Sequence, residues 1–510
     1  MSKKNSNVLA IAIMFFLFGM ISFVTGLQNP MGIIVKEQFG ASNFMSQLGN
    51  AANFIAYAFL GLPAGMILKK KGYKFTSLAA VTVGFIGVGI LWLSGFVGDI
   101  FSPAISLLSP EQASSANNLI FGIYLAGAFI SGFSMCMLNT VVNPMLNTLG
   151  GGGNKGNQLI QFGGSVNSLC ATIVPVLAGY LIGDTAKATI SNANPALYIA
   201  MGVFALAFVI IIFSTIPEPE LEAKAEYDEE TEPMTVSIKH LLSQRHFVFG
   251  IIAIFIYVGV EVGIPNFVNL YLTTEYVLPE DVVRTTVDEN VAVDIQETIA
   301  FESAVQTQEM DSLVAETAVQ GTVVEVLPES VADDCKISET IAHVSKAVAG
   351  TIVGIYWLLM LCGRLIGGAI GGKVSSRVMM ISVSSLALVL LLLGMFLPET
   401  LVKFPTVTSE LKFALADVPL NVVFFILCGL CTSVMWGSIF NLAVEGLGKY
   451  TSLASGVFMM LVCGGGILPL VQGAVADATS IMTGYWVIIA GVAYMLLFAL
   501  FFSKPKAATK

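Results

Sequence analysis

Charge is what this sequence has least of. Asp, Glu, Lys and Arg make up 11% of its 510 residues, against 55% hydrophobic ones. Soluble domains hold about 25% charged residues, so a water-exposed globular fold of this size is excluded. Histidine is scarcer still: His240, His246 and His343 lie far apart. They form no HExxH pair, no Ser/His/Asp arrangement and no ligand cluster, which argues against an enzyme and a metal cofactor. No glycine-rich loop ending in Lys-Ser or Lys-Thr follows a strand pattern, so ATP is not the energy source, and nothing in the chain points to nucleic acid as a partner. Six of the seven cysteines sit in hydrophobic runs, and Cys335 stands alone outside them. Cys428 and Cys431 have the spacing of a redox or metal pair but no further Cys or His beside them, and read as small packing residues.

What fills the chain instead is a series of long apolar runs. A helix of about 20 apolar residues spans a bilayer. Twelve such spans are expected, near 8–27, 46–68, 75–97, 118–146, 157–182, 195–216, 246–272, 347–371, 378–397, 418–440, 453–474 and 484–503. The first follows Lys3 and Lys4 but is long for a signal sequence, lacks a small-residue cleavage site and leads into further spans, so it reads as a membrane helix. With the N-terminus inside, sixteen of the 24 Lys and Arg residues fall on the cytoplasmic side, including Lys69–Lys71, Lys74, Lys373, Arg377, Lys504 and Lys506. This bias sets the orientation, with both termini cytoplasmic. The net charge of −10 is a local feature: residues 273–345 carry sixteen acids against Arg284 and Lys336. That acidic outer insert contains the near-repeat VLPEDV and VLPESV and some strand-like alternation, which fits either a small cap or a disordered loop.

The polar stretch 217–245 divides six spans from six, giving bundles at 1–216 and 246–510 with a cytoplasmic linker whose last part is expected to be an amphipathic helix. The turns after spans two and eight repeat at an offset of 303: Gly65 matches Gly368, Lys70 matches Lys373, and Lys74 matches Arg377. Such a duplication suits a transporter with its site between the halves. Two ionisable residues lie at membrane depth, Glu261 in span seven and Arg364 in span eight. Charges there normally face a polar path, although a pair that only packs two helices fits the same pattern.

The two repeated turns resemble degraded loop motifs of the major facilitator superfamily, with Lys69 and Gly372 where an acid is usual. YVGVEVGIPNFVNLYL (257–272), YWLLMLCGRLIGG (356–368), GLGKYT (446–451), LPAGMILKKKGYK after span two and NTVVNP (139–144) together resemble the fucose–proton symporter family, and its glucose/galactose branch most closely. The resemblance covers nearly the whole chain outside 273–345. It implies an all-α membrane protein of twelve helices in two six-helix bundles, moving a sugar by alternating access. The chain departs from the family at three places. The Asn-Asp pair of span one falls on Thr25 and Gly26. The glutamate of span four falls on Asn139. The glutamine of span five falls on Gly164, with Gln161 one turn earlier.

A neutral sugar needs amides and carboxylates for directional bonds and an aromatic face to stack on. The candidate ligands are Asn50, Asn139, Asn143, Gln161, Asn167, Glu261, Asn266 and Trp436, with Asn269 on the same span as Asn266; Glu261 and Arg364 are the candidate coupling pair. Membrane amides also serve as interhelical glue, and this alternative stays open residue by residue. Gly464–Gly466 and Pro469 fit either hinges or close packing. The expected function is a secondary transporter for a hexose-like monosaccharide, working as a monomer in the inner membrane with the bilayer as its surroundings. It needs no cofactor beyond a proton or sodium ion as co-substrate. An amino sugar or sialic acid permease, a uniporter and a non-transporting sugar sensor are the alternatives.

Overall fold

A computed structural model of the chain describes residues 3–39, 43–105, 110–182, 189–218, 234–277, 293–298, 339–344, 346–407 and 413–504. In hydrocarbon every backbone N–H and C=O must be bonded internally, which long helices achieve within one segment. The first half holds α1 (Lys3–Phe39), α2 (Asn43–Ile105), α3 (Pro110–Leu149), α4 (Gly153–Ile182) and α5 (Asn194–Phe213). A short α6 (Met234–Ser243) precedes the second half and is the amphipathic helix expected at the end of the linker. The second half holds α7 (Arg245–Leu270), α8 (Lys346–Gly371), α9 (Ser376–Phe396), α10 (Leu420–Thr432), α11 (Met435–Val444), α12 (Thr451–Met460), α13 (Gly464–Ala478) and α14 (Ile481–Leu497).

Ten stretches of the described residues are long and apolar enough to cross a membrane. One of them, Leu48–Phe101, contains spans two and three on either side of Gly72. The remaining span is α4, which is 30 residues long but carries a polar face of Asn157, Gln158, Gln161 and Asn167. With these two allowances the ten stretches become the twelve spans. Large apolar side chains such as Phe85, Phe213, Leu393 and Phe396 are exposed on the outer surface, where lipid is the solvent.

Several boundaries differ from the sequence reading. Spans two and three form one long element because the chain turns at a single residue, Gly72, with φ of 82°, a conformation glycine adopts without strain. Span ten is two helices, α10 and α11, separated at Ser433–Val434, and span eleven is interrupted by a tight turn at Leu461–Cys463. Before span ten lies a β-hairpin that the sequence reading left as plain connection: β3 (Leu401–Val407) pairs antiparallel with β4 (Phe413–Pro419). Within the acidic insert β1 (Val293–Thr298) pairs with β2 (Glu339–Val344), Val293 facing Val344. The two VLPE segments lie largely outside the described residues.

The repeated turns have the same task in both halves. Lys74 donates from Nζ to the carbonyls of Ile212 and Ser214 at 3.0 and 2.8 Å, at the end of α5. Arg377 donates from Nε to the Ala499 carbonyl at 2.8 Å and from Nη2 to the Leu500 carbonyl, at the end of the last span. Each cation thus satisfies carbonyls that a helix C-terminus leaves open, and meets the negative end of its dipole. The acid missing from the first turn is supplied from elsewhere: Glu218 accepts from the N–H groups of Tyr73 and Lys74 at 2.6 and 2.8 Å. Replacing Arg377 by Gln is expected to destabilise the protein by about 1–3 kcal/mol, the range for charged hydrogen bonds. Lys373→Gln, in the same turn but exposed, should leave the melting temperature of the detergent-solubilised protein unchanged.

Candidate functional site

Between the halves lies a cavity of about 130 Å³, counted over the positions open to a water centre. Asn50, Asn139, Gln161 and Asn167 border it from the first half, and Glu261, Asn266, Arg364 and Trp436 from the second. Of the residues singled out in the sequence, Asn143 alone among the candidate ligands does not line the wall. It is fully buried one layer behind, with Nδ2 donating to the Asn139 carbonyl at 2.9 Å and Oδ1 accepting from Trp436 Nε1 at 3.1 Å. Asn269 is also off the wall, with its Oδ1 buried. Thr25 and Gly26, where the family's Asn-Asp pair falls, do border the cavity, but the Thr25 hydroxyl turns back to the Ile21 carbonyl at 3.1 Å. Glu261 is therefore the one carboxylate among the residues bordering the cavity.

Arg364 is the centre of the site. From α8 its guanidinium reaches across the interface to α4. Nη1 lies 2.7 Å from the Gly164 carbonyl, 3.1 Å from Asn167 Oδ1 and 2.9 Å from Ser168 Oγ. Within its own half Nε donates to the Ser433 carbonyl at 3.2 Å, and Nη2 meets Glu261 Oε1 at 3.2 Å. The Glu261–Arg364 pair is nearly dry, with side chains 13% and 7% exposed. A buried pair of this kind repays its desolvation only when the remaining donors are also satisfied, and here two carbonyls and two side-chain oxygens besides Glu261 serve them. The absent glutamine of span five now has a reason. A Cβ on Gly164 would lie 3.2 Å from Arg364 Cδ, so a side chain there would press on the arginine.

The geometry around the pair comes from breaks in helices. Pro265 has no N–H for the Glu261 carbonyl, and the Tyr356 hydroxyl takes up that oxygen at 3.3 Å. The interruption of span ten presents three successive carbonyls to the site: Thr432 to Tyr257 at 3.1 Å, Ser433 to Arg364, and Val434 to Gln161 Nε2 at 3.0 Å. Tyr257 also stands beside the Glu261 carboxylate. Tyr257, Tyr356 and Thr432 were not picked out from the sequence. The signal was present for two of them: Tyr257 is four residues before Glu261 and Tyr356 eight before Arg364, so each shares its partner's helix face.

Below the cavity, at the end that carries the basic turns, the halves meet through neutral groups. Asn157 Nδ2 and Asn441 Nδ2 both donate to Ser376 Oγ, at 3.0 and 2.9 Å. Gln158 Nε2 donates to the Gly368 carbonyl at 2.8 Å. Nearby, α2 and α12 touch backbone to backbone, since a Cβ on Gly65 would lie 2.9 Å from Gly456 Cα. The side chains that form the bonds of this clasp are all uncharged.

Comparison with known proteins agrees with this architecture. The Major Facilitator Superfamily pattern matches residues 11–285. A glucose/galactose transporter of Brucella abortus is 25% identical over 510 residues, covering 99% of this chain and 96% of its own. A putative glucose/galactose transporter of Helicobacter pylori is 26% identical, covering 98% of each. The L-fucose-proton symporter of Escherichia coli is 19% identical, covering 93% of this chain and 89% of its own. Among solved structures, the transporter FucP in the outward conformation superposes with a TM-score of 0.64 at 17% identity, over 98% of this chain and 100% of that one. The proton:xylose symporter XylE follows at 0.56 and 14%, over 98% and 96%. The chain is a multi-pass membrane protein that belongs to the major facilitator superfamily.

Proposed function

We propose that this protein imports a neutral hexose together with a proton, by alternating access about the cavity between its halves. The observation that carries the reading is the occupied guanidinium of Arg364. Its donors are engaged by Glu261, Asn167, Ser168 and the carbonyls of Gly164 and Ser433. Among the described residues Arg364 is the one Lys or Arg bordering the cavity and it already faces Glu261, which disfavours sialic acid. The remaining wall of amides and the Trp436 ring suits hydroxyls and a sugar face. The names of the relatives favour glucose or galactose as substrate, and those of the more distant ones favour a proton over sodium.

Glu261 is the coupling group in this reading. Protonation of its carboxylate removes the charge that faces Arg364, which loosens a contact spanning α7, α8 and α4 and lets the halves move. The cytoplasmic clasp is then the gate that is closed in this state, with the cavity served from the outer side. The protein works as a monomer in the inner membrane, with both termini cytoplasmic, and the two bundles are 1–216 and 246–510, joined by the linker 217–245.

In proteoliposomes, labelled D-glucose or D-galactose is expected to accumulate under an inward proton gradient and not under a sodium gradient. Accumulation of sialic acid instead would overturn the substrate assignment. Glu261→Gln keeps the shape of the side chain and removes its charge; it should abolish uphill accumulation while sparing exchange. Wild-type accumulation in that variant would move coupling elsewhere. Ser376→Ala removes the acceptor of the Asn157 bond that joins the halves, worth roughly 0.5–1.5 kcal/mol, and of the Asn441 bond within the second half. It should raise cytoplasmic labelling of a cysteine introduced at Ile160, on the cavity wall, by about fivefold or more.

A further inference from the structure

Asn143 presents a puzzle that the sugar-site reading does not absorb. It has the residue type and helix face of a ligand, one turn after Asn139, yet it is fully buried behind the wall. Both ends of its amide are occupied. Nδ2 holds the Asn139 carbonyl at 2.9 Å, and Oδ1 takes the indole N–H of Trp436 at 3.1 Å. The second bond crosses from one half of the molecule to the other.

Trp436 is the residue through which this matters. It begins α11, immediately after the break in span ten. Its ring borders the cavity, and its centroid lies 6.2 Å from that of Tyr257 and 6.3 Å from that of Phe458, both edge-on. These rings limit its tilt, and its one polar atom, the indole N–H, is held by a fixed acceptor, which selects the side-chain orientation. Asn143 is that acceptor. Asn139 in turn is braced by its own donation from Nδ2 to the Tyr57 hydroxyl at 3.0 Å. A chain Tyr57–Asn139–Asn143–Trp436 therefore runs along the wall, passes behind it at Asn143 and ends on the ring.

We propose that Asn143 is a positioning residue: it engages the indole N–H of Trp436 across the interface, so that the ring meets the sugar as an apolar platform and not as a hydrogen-bond donor. The proposal rests on the sugar-site reading and deepens it by assigning this pair separate tasks. A sugar held by stacking on Trp436 thereby rests on a group whose orientation is set by the opposite half. Substrate contact and the relative position of the halves are linked through one hydrogen bond.

The test is a double-mutant cycle on equilibrium binding of the hexose that the wild type transports, measured on monodisperse protein. Asn143→Leu leaves the indole N–H without its acceptor, and affinity should fall about 5- to 10-fold. Trp436→Phe leaves the Asn143 carbonyl oxygen without its donor and should give a loss of the same order. With both changes neither group is orphaned, so the double variant should bind no more weakly than Asn143→Leu alone. That non-additivity is the mark of a pair, since once the indole N–H is gone Asn143 has nothing left to orient. Losses that multiply would overturn the proposal and make Asn143 an independent contributor. If the leucine variant does not fold, Asn143→Ser runs the same cycle, being too short to reach the indole. Failure of the wild type to bind any hexose would instead refute the site reading, and is seen before the cycle begins.

Discussion

A buried arginine that belongs to both halves is the constraint around which this molecule is arranged. Arg364 cannot lose its charge, so wherever it sits in the membrane its donors must be met by oxygen. Here they are met by Glu261 and Ser433 on one side of the interface and by Gly164, Asn167 and Ser168 on the other. Much of the local structure follows from this requirement. Span five carries a glycine where a side chain would press on the arginine. Span ten breaks where a carbonyl is needed. Span seven carries Pro265, which leaves the Glu261 carbonyl without its helical donor, and Tyr356 takes that oxygen.

The two inter-half contacts differ in chemistry, and the difference suits their tasks. The contact at the cavity is ionic and has one partner, Glu261, that a proton can neutralise. The contact below it, through Asn157, Ser376, Asn441 and Gln158, is neutral throughout. Protonation acts directly on the first and not on the second, and burial shields the first from salt. In the proposed cycle a change of charge at Glu261 alters one contact while the other supplies a fixed threshold, made of a few hydrogen bonds of about 1 kcal/mol each. Such a threshold is low enough to open with every turnover.

The sequence revealed the parts of this arrangement that stand out against an apolar background. Glu261 and Arg364 are isolated charges in long hydrophobic runs, and the amides recur in spans that must face one another in a duplicated bundle. The number of spans came from hydropathy. What escaped depends on relations across the fold. The break at Ser433–Val434 involves neither proline nor glycine, so no local signal marks it. The hairpin 401–419 contains Pro405 and Pro419, which count against strands, and its edge position tolerates them. Asn143 lies one turn from Asn139 on the same helix face, and only the packing of Trp436 against it separates the residue behind the wall from the one that forms it. Gly164 was visible as a departure, but its reason is an arginine from 200 positions further along the chain.

The central claim is that sugar and proton cross together through a step at Glu261. It is tested most directly by following the internal pH of proteoliposomes containing a trapped pH dye while hexose is added outside with no gradient imposed. The account predicts that hexose addition acidifies the interior in the wild type, and that the signal disappears in Glu261→Gln although bound sugar still exchanges. Hexose entry with no movement of protons, or an undiminished proton signal in the variant, would contradict it.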